Sequence, residues 1–164
     1  MVSGVRVWPD NVERVAAFLR AAGAEARIEE FRSETATAAA AAEVAGCDPG
    51  DIVKSLVCLC DGRFFLALVP GDRRADLEKV ARAARATSAR VARAHEVERL
   101  TGFAPGAVAP FPLPAVDGVL IDRLLLVREE LWIGAGSTRH LAALPARELL
   151  RLTRAIPADL VSEG

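Results

Sequence analysis

The stretch GDIVKSLVCLCDGRFFLALVP, Gly50 to Pro70, decides the fold. Two apolar runs flank Asp61-Gly62, the kind of pair that tolerates the positive φ angles of a tight hairpin turn. A two-residue turn sets Cys60 opposite Arg63, and counting back sets Lys54 opposite Val69. One face then carries Ile52, Lys54, Leu56, Cys58, Phe65, Ala67 and Val69. The other carries Val53, Ser55, Val57, Leu59, Phe64, Leu66 and Leu68. Both faces are apolar, which predicts a central hairpin covered on both sides or curled toward a barrel.

Lys54 breaks this pattern. A lysine on an apolar strand face has three options: its stem is buried while the ammonium reaches the rim, it pairs with a carboxylate, or it meets an anionic ligand. Asp72 and Asp122 are the candidate carboxylates. The ligand option needs a cleft, and TGFAPG (Thr101 to Gly106) and GAGS (Gly134 to Ser137) are its candidate walls, because glycine lets a backbone approach a ligand closely. The excess of basic residues between Arg73 and Arg99, eight Arg or Lys against four Asp or Glu, is either a solvated face or a phosphate-facing patch.

Upstream of the hairpin, Val12, Val15, Ala16 and Leu19 share one helical face, with Asp10 or Asn11 as cap and Gly23 as stop. Arg27 to Phe31 forms a short strand, and the alanine-rich run after Thr35 or Thr37 forms a helix closed by Gly46. Downstream, a helix spans about Ala75 to Arg85 with Leu77, Val80, Ala81 and Ala84 inward and Lys79 outward. Another covers Ala94 to Leu100. The run from Thr101 to Pro114 holds two Gly and four Pro, which predicts a stiff, ordered loop. Gly118 to Ile121, Leu124 to Val127 and Leu131 to Ile133 read as strands, GAGS follows the last of them, and Pro145 to Leu152 closes the chain as a helix.

With 164 residues, residues 1–164 fit one domain that can bury a substantial core. The chain is 52% hydrophobic and 26% charged with a net charge of −1, which fits a soluble globular protein and confines any nucleic-acid contact to a local patch. Cys47, Cys58 and Cys60 lack metal-site spacing and are read as reduced. The segment MVSGVRVWPDNVER has no apolar signal core and no run is long enough to span a bilayer, so the expected location is cytoplasmic, without membrane contact.

Standard catalytic constellations are missing. His95 and His140 fall in expected helix or loop positions and read as surface residues rather than metal ligands, and Ser55 and Ser137 lack an evident base in the sequence. An enzyme built this way relies on positioning and oxyanion stabilisation, with no cofactor or metal.

Thr37 in its alanine-rich helix, IVKSLV (52–57), Val69-Pro70-Gly71-Asp72, EVERLTGFAPGAVAPFPLP (96–114), VLIDRLLL (119–126) and LWIGAG (131–136) together resemble the YbaK/EbsC family. These are free-standing relatives of the editing domain inserted in some bacterial prolyl-tRNA synthetases. The resemblance covers about residues 10 to 155. It implies a mixed α/β (α+β) fold with a curved, largely antiparallel sheet or partial barrel flanked by helices. It also implies trans-editing hydrolysis of mischarged aminoacyl-tRNA, with water attack assisted by the substrate's terminal ribose hydroxyl. By the same resemblance Lys54 and Gly102 are the catalytic candidates, and Thr101, Phe103, Pro105 and Gly106 line the pocket. Ser55, Asp122, Gly134, Gly136 and Ser137 complete the candidate substrate-binding set. The partners implied are a tRNA acceptor end and an aminoacyl-tRNA synthetase. Where some members carry Arg and Asp after the final Ala-Gly, this chain has Ser137-Thr138-Arg139-His140, so the amino acid removed stays open among alanine, cysteine, serine and threonine. The competing expectation is a non-catalytic module of the same fold that senses an aminoacylated end.

Overall fold

In the computed structural model, which describes residues 7–113 and 115–163, the hairpin is the centre of the larger of two sheets. Strand β2 (Val53–Cys60) pairs antiparallel with β3 (Arg63–Pro70), in the register Cys60 to Arg63 and Lys54 to Val69. The turn works as the sequence requires: Asp61 and Gly62 have φ of 52° and 81°. The two faces separate as read from alternation. Val53, Val57, Phe64, Leu66 and Leu68 enter the main core, while Cys58, Cys60, Phe65, Ala67 and Val69 face a second cluster with Val80, Leu160 and Val161.

Three strands extend this sheet. They are β4 (Ala89–Val91) beside β2, and β5 (Gly118–Asp122) and β8 (Ile156–Ala158) on the β3 side, the last two parallel to their neighbours. A second, antiparallel sheet orders β1 (Arg27–Glu30), β7 (His140–Pro145) and β6 (Glu130–Ser137). A bridge between Ile52 and Trp132 joins the two sheets. The fold is therefore mixed α/β and largely antiparallel, in two sheets that do not close into a barrel.

Helix α1 (Asp10–Ala21) buries Val12, Val15, Ala16 and Leu19 as its spacing dictates. Its cap is Pro9 rather than Asp10 or Asn11; both lie inside the first turn, where Asp10 and Glu13 complement the helix dipole. Helix α2 (Ala38–Ala45) starts at Thr37, whose hydroxyl accepts from Ala40 N, and stops at Gly46 with φ +70°. Helices α3 (Leu77–Ala83), α4 (Ala94–Thr101) and α5 (Ala146–Thr153) complete the chain. Lys79 does not point outward: its ammonium bonds Asp159 at 2.9 Å and the Val161 carbonyl at 2.8 Å, tying the last residues onto α3.

Three further expectations change. Leu124 to Val127 is part of a 3-10 turn (Arg123–Val127), because Asp122 caps it by accepting from Leu124 N. GAGS lies inside β6, not after it, and the strand continues through a bulge between Gly134 and Ser137 where Gly136 adopts φ +101°. The chain then turns at once into β7, so His140 is a buried strand residue, 4% exposed. His95 is exposed, as expected.

Candidate functional site

The start of β2, the N-terminus of α2, the loop at Gly106 to Val108 and the β6/β7 end enclose a cleft of about 240 Å³. Each wall follows from local sequence. Pro49 opens a short 3-10 turn that delivers Ile52 to β2. Thr35 anchors the entry to α2 through its amide and its hydroxyl, both donating to Thr138 O, the latter at 2.8 Å. Gly134 forms the floor, where a Cβ would stand 2.6 Å from the Val108 carbonyl oxygen.

Lys54 lies in this cleft. Its ammonium donates to the Arg73 carbonyl at 3.1 Å and forms no ion pair among the described residues. The candidate pairing with Asp122 is absent for a clear reason: Asp122 is 2% exposed and its two oxygens accept from Leu124 N and Leu160 N. That carboxylate latches β5 to the C-terminal segment and does not face the cleft. Asp72 is exposed and borders, with Arg73 and Arg74, a second and more open groove that Lys54 also lines. Lys54 thus lines both the cleft and the more open basic groove.

Ser55 is next along β2, and its Oγ is buried in the cleft wall without a hydrogen-bond partner among the described residues. A buried hydroxyl left unpaired is costly, and a ligand in the cleft is a natural partner for it. At the far end Ser137 Oγ meets His140 Nδ1 at 2.5 Å, so Ser137 does have a histidine beside it. The sequence hid this pair because it depends on the β6–β7 hairpin, whose signal the GAGS glycines obscured.

The glycine-rich loop divides. Gly106 lines the cleft, with Pro105 exposed beside it. Thr101 and Phe103 are buried structural residues: the Thr101 hydroxyl donates to Val97 O at 2.6 Å, and Phe103 is fully buried under the Arg14 guanidinium, 4.6 Å from its ring centre. Gly102 closes α4 with φ +77° and packs against Arg14, while its carbonyl accepts from Asn11 Nδ2 at 3.2 Å. Gly136 packs on the Asn11 backbone, with a Cβ only 2.7 Å from Asn11 O. Neither glycine is brought to the cleft; both seat α1. The residues that the cleft does bring together are Lys54, Ser55, Gly106, Gly134 and Ser137, with Thr35 and Thr37 added by the structure.

Two of the three cysteines are turned away from this arrangement. Cys58 and Cys60 face the α3 side, and burial pushes the Cys58 thiol up to about 12. Among the described residues no cluster of three or more His, Cys, Asp or Glu side chains is disposed to hold a metal, and no helix is long and apolar enough to cross a membrane.

Residues 32–152 match the family model of the aminoacyl-tRNA editing domain. The chain is 31% identical over 134 residues to a proline–tRNA ligase of Bacillus licheniformis, spanning 79% of this chain but only 23% of that enzyme. It is 29% identical to the multifunctional Ser/Thr-tRNA deacylase ProXp-y of Escherichia coli K12, over 87% of each chain. Among solved structures it superposes on a candidate trans-editing enzyme for prolyl tRNA synthetase with a TM-score of 0.89 and 35% identity, covering 96% of this chain and all of that one.

Proposed function

The chain belongs to the aminoacyl-tRNA editing domain family, and from that premise we infer that it is a trans-editing deacylase that hydrolyses the ester of mischarged aminoacyl-tRNA. The observation that carries this reading is that Lys54, a cation without a carboxylate partner among the described residues, and Ser55, a buried hydroxyl without a hydrogen-bond partner among them, both line one cleft. A pocket closed on itself would have satisfied both groups internally.

In this reading Lys54 holds the phosphate of the tRNA's terminal nucleotide, and the basic groove beyond it receives the strand that follows. Ser55 donates to the ester or ribose oxygens. Water adds to the ester carbonyl carbon and the bond to the ribose oxygen breaks. That oxygen leaves with the bonding pair and takes a proton relayed from the attacking water by the neighbouring ribose hydroxyl. The protein supplies orientation and charge rather than a covalent intermediate, and fixed dipoles aimed at developing charge are an effective form of catalysis.

Gly134 and Gly106 keep the amino-acid end of the cleft narrow, which fits a small side chain. Alanyl, cysteinyl, seryl and threonyl esters are the substrate candidates, and the similarity to a Ser/Thr-tRNA deacylase favours the hydroxyl-bearing pair. The similarity to proline–tRNA ligases makes a prolyl-tRNA synthetase the natural associate. Incubating the purified protein with a panel of mischarged tRNAs tests the reading: turnover of at least one small aminoacyl ester supports it, and ligand-dependent stabilisation without turnover favours a sensing module instead.

A further inference from the structure

Ser137 and His140 face each other across the two-residue turn from β6 to β7, and Oγ meets Nδ1 at 2.5 Å. The hydroxyl lines the cleft, while the imidazole is buried behind it and edge-on to Trp8, 5.5 Å between ring centres. The direction of this bond follows the imidazole tautomer. The Arg139 amide donates to Ser137 Oγ at 3.0 Å, which occupies one lone pair. His140 Nε2 lies 3.6 Å from the Glu30 carboxylate, beyond hydrogen-bond distance; with the proton on Nε2, Nδ1 is the acceptor. The Ser137 hydrogen is then committed to Nδ1. The remaining lone pair of the oxygen is what the cleft sees.

We propose that this lone pair reads the α-ammonium group of the aminoacyl moiety, with His140 as the positioning residue that keeps the Ser137 hydrogen turned away. The inference rests on the deacylase reading above and names the substrate group that this end of the site recognises. A freely rotating hydroxyl presents either polarity, but one locked onto a histidine acceptor presents an acceptor alone, which suits an ammonium donor. Glu30, behind the imidazole, adds negative potential of the right sign, and the other nearby carboxylate, Glu34, is held by Arg139 at 3.7 Å. Lys54 seeks an anion and Ser137 a cation, so the two groups set the direction in which an aminoacylated 3′ end lies between them.

The test uses isosteric pairs in which a hydroxyl replaces the ammonium: alanyl-tRNA against lactyl-tRNA, and seryl-tRNA against glyceroyl-tRNA. Each enzymatic kcat/KM is divided by the spontaneous hydrolysis rate of the same ester. Wild type favours the ammonium member by roughly tenfold or more, expressed mainly in KM. In Ser137→Ala and in His140→Leu the preference collapses toward unity. His140→Asn, whose amide oxygen can occupy the place of Nδ1, keeps much of it. Thermal unfolding identifies any variant that fails to fold, and the wild-type preference is itself a test that needs no variant. A Ser137→Ala protein with the wild-type preference overturns the proposal, as does an acyl group trapped on Ser137 or a wild type that hydrolyses both members equally. A wild type that hydrolyses neither alanyl- nor seryl-tRNA overturns the deacylase reading for these esters and this inference with it.

Discussion

A Cβ on Gly134 would stand 2.6 Å from the carbonyl oxygen of Val108, so the strand that floors the cleft and the loop that walls it touch backbone to backbone. Gly134→Ala forces that loop outward, and overpacking of this kind costs about 1–3 kcal/mol. The expected outcome is a lower urea midpoint and a slower deacylation rate, the latter measured where both proteins remain folded. An unchanged midpoint and rate would show that the loop yields freely.

Ser55→Ala separates function from stability in the opposite sense. Its hydroxyl is buried without a hydrogen-bond partner among the described residues, so removing it relieves a desolvated polar group and should leave stability unchanged or raised by up to about 1 kcal/mol. Activity should fall nonetheless, with KM rising several-fold if the hydroxyl's partner is the substrate. A destabilised variant with full activity would place that hydroxyl's role in the fold instead.

Acid should weaken the fold through two buried carboxylates. The Arg90 guanidinium and the Arg93 amide hold Glu96 at about 2 against an ordinary 4.5, and Arg151 with the Glu25 amide does the same for Glu148, also to about 2. Both groups have depressed values in the folded state, so their stabilising effect is full above pH 4.5 and is lost as pH falls through about 2. The thermal midpoint should decline across that window. In Glu96→Gln it should be lower at neutral pH and decline less steeply, and parallel curves for the two proteins would contradict the assignment.

Binding of tRNA should weaken with salt, because each neutralised phosphate releases counterions. Arg74, exposed on the groove that runs on from Lys54, is placed to contribute. Arg74→Ala should reduce the slope of log affinity against log salt by roughly 0.7–0.9 without moving the melting temperature. An unaltered slope would direct the strand elsewhere.

The parts of the fold legible in the sequence are those fixed by local rules. Asp61-Gly62 set the hairpin register, alternation sorted its two faces, and Thr37 and Gly46 bounded α2. Lys54 stood out because a cation violates an apolar pattern, and Ser55 and Ser137 came with the motifs around it. What stayed hidden depends on contacts distant in sequence. The strand through Gly134 and Gly136 looks like a loop until a bulge lets it continue, so the pairing with β7 and the burial of His140 were not visible. Gly102 lies in one of the motifs that carry the family resemblance, yet it closes α4 against Arg14; a positive φ and a ligand-facing backbone leave the same mark on a sequence. Asp122 likewise carries a charge that reads as functional, while two backbone amides occupy it.

In the proposed reading Lys54 is held on its strand for an anionic substrate end and not for the fold. Its one hydrogen-bond partner among the described residues is the Arg73 carbonyl, so Lys54→Ala should cost only about 0.5–1.5 kcal/mol of stability. Single-turnover hydrolysis of a mischarged small aminoacyl-tRNA by this variant, beside wild type, measures that role. The predicted result is a folded protein whose rate is lower by roughly a hundredfold or more, with partial activity in Lys54→Arg. Wild-type turnover in a folded Lys54→Ala protein would contradict it.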